Sequence, residues 1–190
     1  MSEQYARGPN YVYARDYVQQ TYGEETWKKV LAAMPPESAG IWNGVLLPGN
    51  CYSFAAFKDF TRTLKTVIGP RSQQETSRIY EFIADRSLNA IYKMFFHFSK
   101  PSFVIKNYPK LWVRFFTIGT VTVPAAEAGH AVITFELPEI FLDWLDDACH
   151  GFSRKAVEMA GGKNLSLKQT GKSNGKLGQW QVTYDLTWKE

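Results

Sequence analysis

Apolar positions recur with a helical period through the first part of the sequence and change to a strand period in parts of the remainder. In residues 12–34, "VYARDYVQQTYGEETWKKVLAAM", Tyr13, Tyr17, Trp27, Val30 and Leu31 fall on the inner faces of two short helices hinged at Gly23, which "PPESAG" is expected to stop. Residues 51–68 predict a helix with Phe54, Phe57, Phe60 or Thr61, Leu64 and Ile68 on one face, ended by Gly69 and Pro70. Residues 75–98 carry Ile79, Phe82, Ile83, Ile91, Met94, Phe95 and Phe98, which predict either one helix or two divided near Asp85. "KPSFVIKNYPKLWVRFF" predicts another helical region, interrupted or restarted at Pro109.

The period changes near Thr117. "TIGTVTV" and "HAVITFEL" are rich in β-branched residues and read as two strands joined by the loop "PAAEAG". Pro138 opens a long amphipathic helix through Ala160, with Ile140, Phe141, Trp144, Leu145, Ala148, Phe152, Ala156 and Met159 in one apolar stripe, closed by Gly161 and Gly162. Residues 164–168 and 179–188 read as strands. In the last of these, Trp180, Val182, Tyr184, Leu186 and Trp188 alternate with polar residues. The order predicts an α+β fold: a helical N-terminal half, then a roughly four-stranded antiparallel sheet with a long helix between strand pairs. We expect a single domain over 1–190, helical over about 10–116 and strand-helix-strand over about 117–190.

The net charge of +4, from 22 basic and 18 acidic residues, is spread along the chain and gives no block for a nucleic acid. Lys100, Lys106, Lys110 and Arg114 interleave with aromatics in the manner of a helix whose basic stems extend past a buried face. Cys51 and Cys149 have no CxxC neighbour and are expected to be reduced thiols of a cytoplasmic protein. The N-terminus lacks a signal-peptide pattern, and every apolar run is interrupted well before the roughly 20 residues of a membrane span. Thirteen Phe, ten Tyr and six Trp fit either a large core or a lined cavity.

Gly171, Lys172 and Ser173 raise the question of a phosphate loop. That loop requires G-x-x-x-x-G-K-[ST] between a strand and a helix, whereas Ser166 stands at the first glycine position and a strand follows here. Residues 169–178 are therefore expected to be a mobile hairpin loop.

The apolar helix ending in Ala-Gly-Gly-Lys-Asn, followed by a short strand, a Gly-containing loop and a strand ending in an aromatic residue, resembles the C-terminal half of 4-vinyl reductase domains. "YVYARDYVQQTYGEETWKKVLAAMP" is similar to the opening helices of haem-nitric-oxide/oxygen-binding (H-NOX) domains. "LLPGNCYSFAAFKDFTRTL" and "PKLWVRFFTIGTVTV" look like a family of uncharacterised myxobacterial paralogues related to both. The resemblance implies a haem-ligating histidine before the sheet and a Tyr-x-Ser-x-Arg motif on a following strand. "SFVIKNYPKLWVRFFTIGTVTV" contains no histidine, and "AVITFELP" lacks the motif, which leaves His97 and His130 at other places. The cysteines that hold zinc around the last hairpin of some 4-vinyl reductase domains are also missing, since none follows Cys149.

"DWLDDACHG" spaces Asp143 with Asp147 and Asp146 with His150 at i,i+4, a spacing that serves metal ligands and also an ordinary solvated helix face. We expect the latter. No catalytic motif is present. The resemblance without its metal residues implies a non-enzymatic sensory or adaptor domain with no haem, zinc or other cofactor. Its expected partners are a small apolar ligand, or a signalling protein or second copy. The alternatives are a purely protein-binding or dimerisation module and a tetrapyrrole-related reductase. The expected pocket lies between the long helix and the helices of residues 51–116, lined by Phe54, Phe57, Phe95, Trp112, Phe116, Trp144 and Phe152. Aromatics at helical spacing equally describe a packed core.

Overall fold

In a computed structural model, the structure describes residues 5–69, 74–96, 100–175 and 178–190, and for 90–96 the helix backbone alone. A two-residue strand β1 (Ala6–Arg7) leads into helices α1 (Gly8–Tyr22), α2 (Glu24–Ala33) and α3 (Pro36–Asn43). Strand β2 (Cys51–Tyr52) pairs antiparallel with β1 and precedes α4 (Phe54–Ile68) and α5 (Glu75–Phe96). Two short helices, α6 (Pro101–Lys106) and α7 (Tyr108–Phe115), run into the sheet strands β3 (Thr120–Glu127) and β4 (His130–Leu137). A 3-10 turn over Glu139–Phe141 opens α8 (Leu142–Met159), and β5 (Lys163–Asn174) and β6 (Trp180–Lys189) complete the chain.

The four-stranded antiparallel sheet has the order β3-β4-β6-β5, so the α8 crossover places the last strand in the middle, beside β4. Leu137 and Trp180 begin that central register, which runs to His130 and Thr187. The inward residues of β4 and β6, including Phe135, Leu137, Val182, Tyr184 and Leu186, are buried. One hydrophobic cluster continues from them through α8 and α7 to α1, α4 and α5.

The α+β order expected from periodicity is the one observed, and several boundaries differ for identifiable reasons. "PPESAG" begins α3, because Pro36 occupies the first turn, where a missing N–H costs nothing. α5 runs without a break at Asp85, whose carboxylate reaches Lys155 Nζ of α8 at 3.0 Å. "PAAEA" is strand up to Glu127: β3 is an edge strand, and a register shift between Thr122 and Ala125 absorbs Pro124. β5 extends to Asn174, so residues 169–174 are strand and not loop. Most of its side chains are exposed, and its ladder is fixed by β6 and not by an apolar alternation of its own. Gly171, Lys172 and Ser173 thus sit in a β-ladder with Lys172 over the Trp180 ring, 5.3 Å from its centroid, and no helix follows.

Helix contacts explain other choices in the chain. Gly23 separates α1 from α2 with φ of 81°, a conformation that glycine adopts without strain. Ser53 caps α4 by accepting from the Ala56 N–H at 3.3 Å. Glu75, 1 % exposed, accepts hydrogen bonds from Tyr17 Oη at 2.5 Å and Tyr22 Oη at 3.0 Å, tying α1 to the first turn of α5. Burial and this carboxylate both push the two phenols above the usual tyrosine range.

Candidate functional site

α7 is amphipathic over only eight residues, with Tyr108, Leu111, Trp112 and Phe115 turned inward and Val113 and Arg114 outward. α8 repeats the pattern over five turns, with Trp144, Leu145, Ala148, Cys149 and Phe152 inward. Where these faces meet Tyr80 of α5 and Phe135 of β4, they enclose a cavity of about 20 Å³ whose lining side chains are each no more than 6 % exposed. Such a space holds about one water-sized molecule.

Rings fill the surroundings. Phe54 stacks on Phe141 with centroids 4.0 Å apart, Trp112 lies 4.3 Å from Phe116, and Trp144 contacts Tyr80 edge-on at 4.9 Å. Of the seven expected pocket residues, Trp112, Phe116, Trp144 and Phe152 line the cavity. Phe54 forms the layer behind them, 5.0 Å from Trp144. Phe57 lies behind Tyr80, 6.2 Å from it, and packs on its other side against Tyr11 and Trp42 at 5.6 and 5.8 Å. The Phe95 side chain lies outside the described residues, as do His97 and Phe98.

Sequence reasoning omitted the polar atoms of this site. Tyr108 Oη faces Cys149 Sγ at 4.0 Å, and Cys149 Sγ lies 3.8 Å from Ser153 Oγ. Burial pushes the Cys149 thiol up to about 12 and holds Tyr108 well above its ordinary value, so both are neutral donors. Trp112 Nε1 donates to the Ile118 carbonyl at 2.9 Å, whereas Trp144 Nε1, also buried, has no acceptor. The position of Cys149, one turn after the buried Leu145, was a readable signal for its inward direction.

Among the described residues, the lining of this cavity does not fit a haem. Ligand pockets of cofactor size begin at roughly 300 Å³, and this cavity measures about 20 Å³. The axial bond takes an imidazole, a thioether or an anionic oxygen or sulfur donor, and the described lining has no His or Met and holds its thiol and the Tyr108 phenol protonated. His130 instead contacts Asp185 at 3.0 Å on the sheet, and His150 contacts Ser77 at 3.3 Å.

The acidic face of α8 is not merely solvated. Asp143 binds Lys58 at 2.5 Å, Asp147 approaches Lys65 at 3.5 Å, and Asp146 accepts a hydrogen bond from Tyr184. Asp143 and Asp146 stay exposed and Asp147 half-buried, as an outer helix face requires, and the same side chains also join α8 to α4 and to β6. Among the described residues no group of three His, Cys, Asp or Glu is gathered as a metal site. No described helix is long and apolar enough to cross a membrane.

No protein-family model matches the sequence, and no curated protein matches it significantly. Solved structures do match the fold. The Fe(II) unliganded H-NOX protein from K. algicida superposes with a TM-score of 0.69 at 16 % identity, over 97 % of each chain. A mutant H-NOX from T. Tengcongensis gives 0.69 at 9 % identity, over 97 % of this chain and 98 % of the other. A structure described as probing haem distortion in the H-NOX family gives 0.72 at 8 % identity, over 97 % and 95 %. The chain therefore has the H-NOX fold.

Proposed function

We propose that this protein is a non-enzymatic sensory domain that uses the H-NOX fold without haem and takes a small, mainly apolar ligand between α7, α8 and the sheet. The observation that carries the reading is Trp144: it lines an apolar cavity, and its indole N–H is buried without an acceptor. Such a donor is costly to leave unmade, and a ligand carrying one acceptor atom removes that cost. The resting volume admits only a very small molecule, so a larger ligand requires the surrounding rings to move.

α7 is the element through which occupancy is read outside. Its inner face lines the cavity, while Val113 on its outer face is 57 % exposed and Phe103 on neighbouring α6 is 59 % exposed. These exposed apolar residues support the adaptor reading as well, with a signalling protein covering α6 and α7. The chain offers no described catalytic constellation in support of a reductase.

The Trp144 indole resonance, followed by NMR during titration with acetone and cyclohexanone, tests the reading. We expect a saturable shift of the Trp144 N–H, with Trp188, whose buried N–H also lacks an acceptor, as an unmoved internal control. A folded Trp144→Phe variant should lose the response of the neighbouring cavity residues. No shift at Trp144, or shifts scattered over the surface, would contradict the proposal.

A further inference from the structure

A second and larger groove adjoins α7 on the side of Val113 and Arg114. It measures about 320 Å³ and is bounded by Arg7, Pro9 and Tyr13 at the start of α1, Ser87 and Leu88 of α5, and residues 111 and 113–115 of α7. The volume falls within the range of small-molecule sites.

Its polar side chains, Arg7, Arg114, Ser87 and Tyr13, all carry hydrogen-bond donors, and two of them are cations. Arg7 and Arg114 form no ion pair among the described residues, whereas Arg15, Arg62, Arg78 and Arg154 do. Arg7 Nε is buried without a hydrogen-bond partner, and Ser87 Oγ, on a residue only 7 % exposed, is likewise unpartnered. Buried polar atoms are normally satisfied, so two unsatisfied donors in one groove mark a place where an acceptor belongs. The Arg7 backbone is held by pairing with Cys51, and the preceding Ala6 bridges to Phe116 at the end of α7. α1 also starts here with no acidic residue in its first turn, which leaves its positive end uncompensated.

We infer that this groove binds an organic anion. A carboxylate or phosphate head engages the Arg7 and Arg114 guanidiniums and the Ser87 hydroxyl, while an apolar body lies along Leu88, Leu111 and Phe115. The inference stands independently of the interior cavity. The two sites nevertheless share Leu111 and Phe115 as walls.

Isothermal titration of the full chain with octanoate, octyl phosphate and inorganic phosphate tests it, with octanol as the uncharged comparison. We expect one-to-one binding of octanoate or octyl phosphate, weakened about tenfold or more by Arg114→Gln and by Arg7→Gln, and no binding of octanol. The relative strength of octanoate and octyl phosphate identifies the head group. Arg114 is exposed, so its variant keeps the test valid even where Arg7→Gln disturbs the β1 pairing. Failure of all the anions to saturate by about 1 mM, unchanged affinity in Arg114→Gln, or equal binding of inorganic phosphate and octyl phosphate would overturn the inference.

Discussion

Gly151 of α8 lies against the Ser77 backbone of α5 so closely that a Cβ built on the glycine would sit 2.0 Å from the Ser77 carbonyl oxygen. A glycine inside a helix costs up to about 1 kcal/mol relative to alanine. Here it permits an approach of two backbones that no other residue allows. Gly151→Ala should therefore destabilise the protein by about 2–3 kcal/mol through forced separation of α5 and α8. Gly40→Ala at an exposed position of α3, where an added Cβ meets nothing within 4 Å, should be neutral or slightly stabilising. Denaturant melts of the two variants check the contrast.

Asn10 performs a comparable task with hydrogen bonds. It is fully buried; its Nδ2 donates to the Phe115 carbonyl at 2.6 Å, and its Oδ1 accepts from Tyr80 Oη at 3.1 Å. One side chain thus ties α1 to α5 and to the end of α7. Asn10→Ala leaves both partners buried and unsatisfied, and we expect a loss of about 2–4 kcal/mol in equilibrium unfolding.

The two thiols differ in accessibility. Cys149 is 2 % exposed with its thiol pushed up to about 12 by burial, whereas Cys51 is half-buried. An aromatic disulfide reagent at neutral pH should modify one cysteine per native chain, at Cys51, and two after denaturation. Rapid labelling of Cys149 in the native protein would contradict the packing around it.

His130 is the described histidine whose charge is biased by folding. Its hydrogen bond to Asp185, with Glu127 at 3.6 Å, raises its pKa above the ordinary histidine value. A histidine raised by folding contributes stability that is complete below its unfolded value of about 6.5 and is lost as the pH rises through the folded value. The thermal stability lost on Asp185→Asn should accordingly be greater near pH 5.5 than near pH 8, by an order-of-magnitude argument from where histidine titrates. Equal losses at both would contradict the assignment.

The alternation of β6 and the apolar stripe of α8 were legible because each places a whole face on the core. β5 past Gln169 was not, since its exposed polar residues take their register from β6. α3 was hidden by a Pro-Pro pair that reads as a stop yet also suits a helix start. In the interior, periodicity pointed to Trp112, Phe116, Trp144 and Phe152, but it could not order the rings in depth, because Phe54 and Phe57 share the spacing and differ only in their tertiary neighbours. The groove containing Arg7 and Ser87 left no local signal: it forms only when a two-residue strand is brought beside α5 and α7.

Whether the fold holds haem is decided by native mass spectrometry with an absorbance scan, on purified protein mixed with equimolar haemin and then desalted. We expect the mass of the polypeptide, alone or with a small organic molecule, and no Soret band. A one-to-one haem adduct with a sharp Soret band that survives desalting would contradict that expectation and show that the aromatic interior opens to a tetrapyrrole.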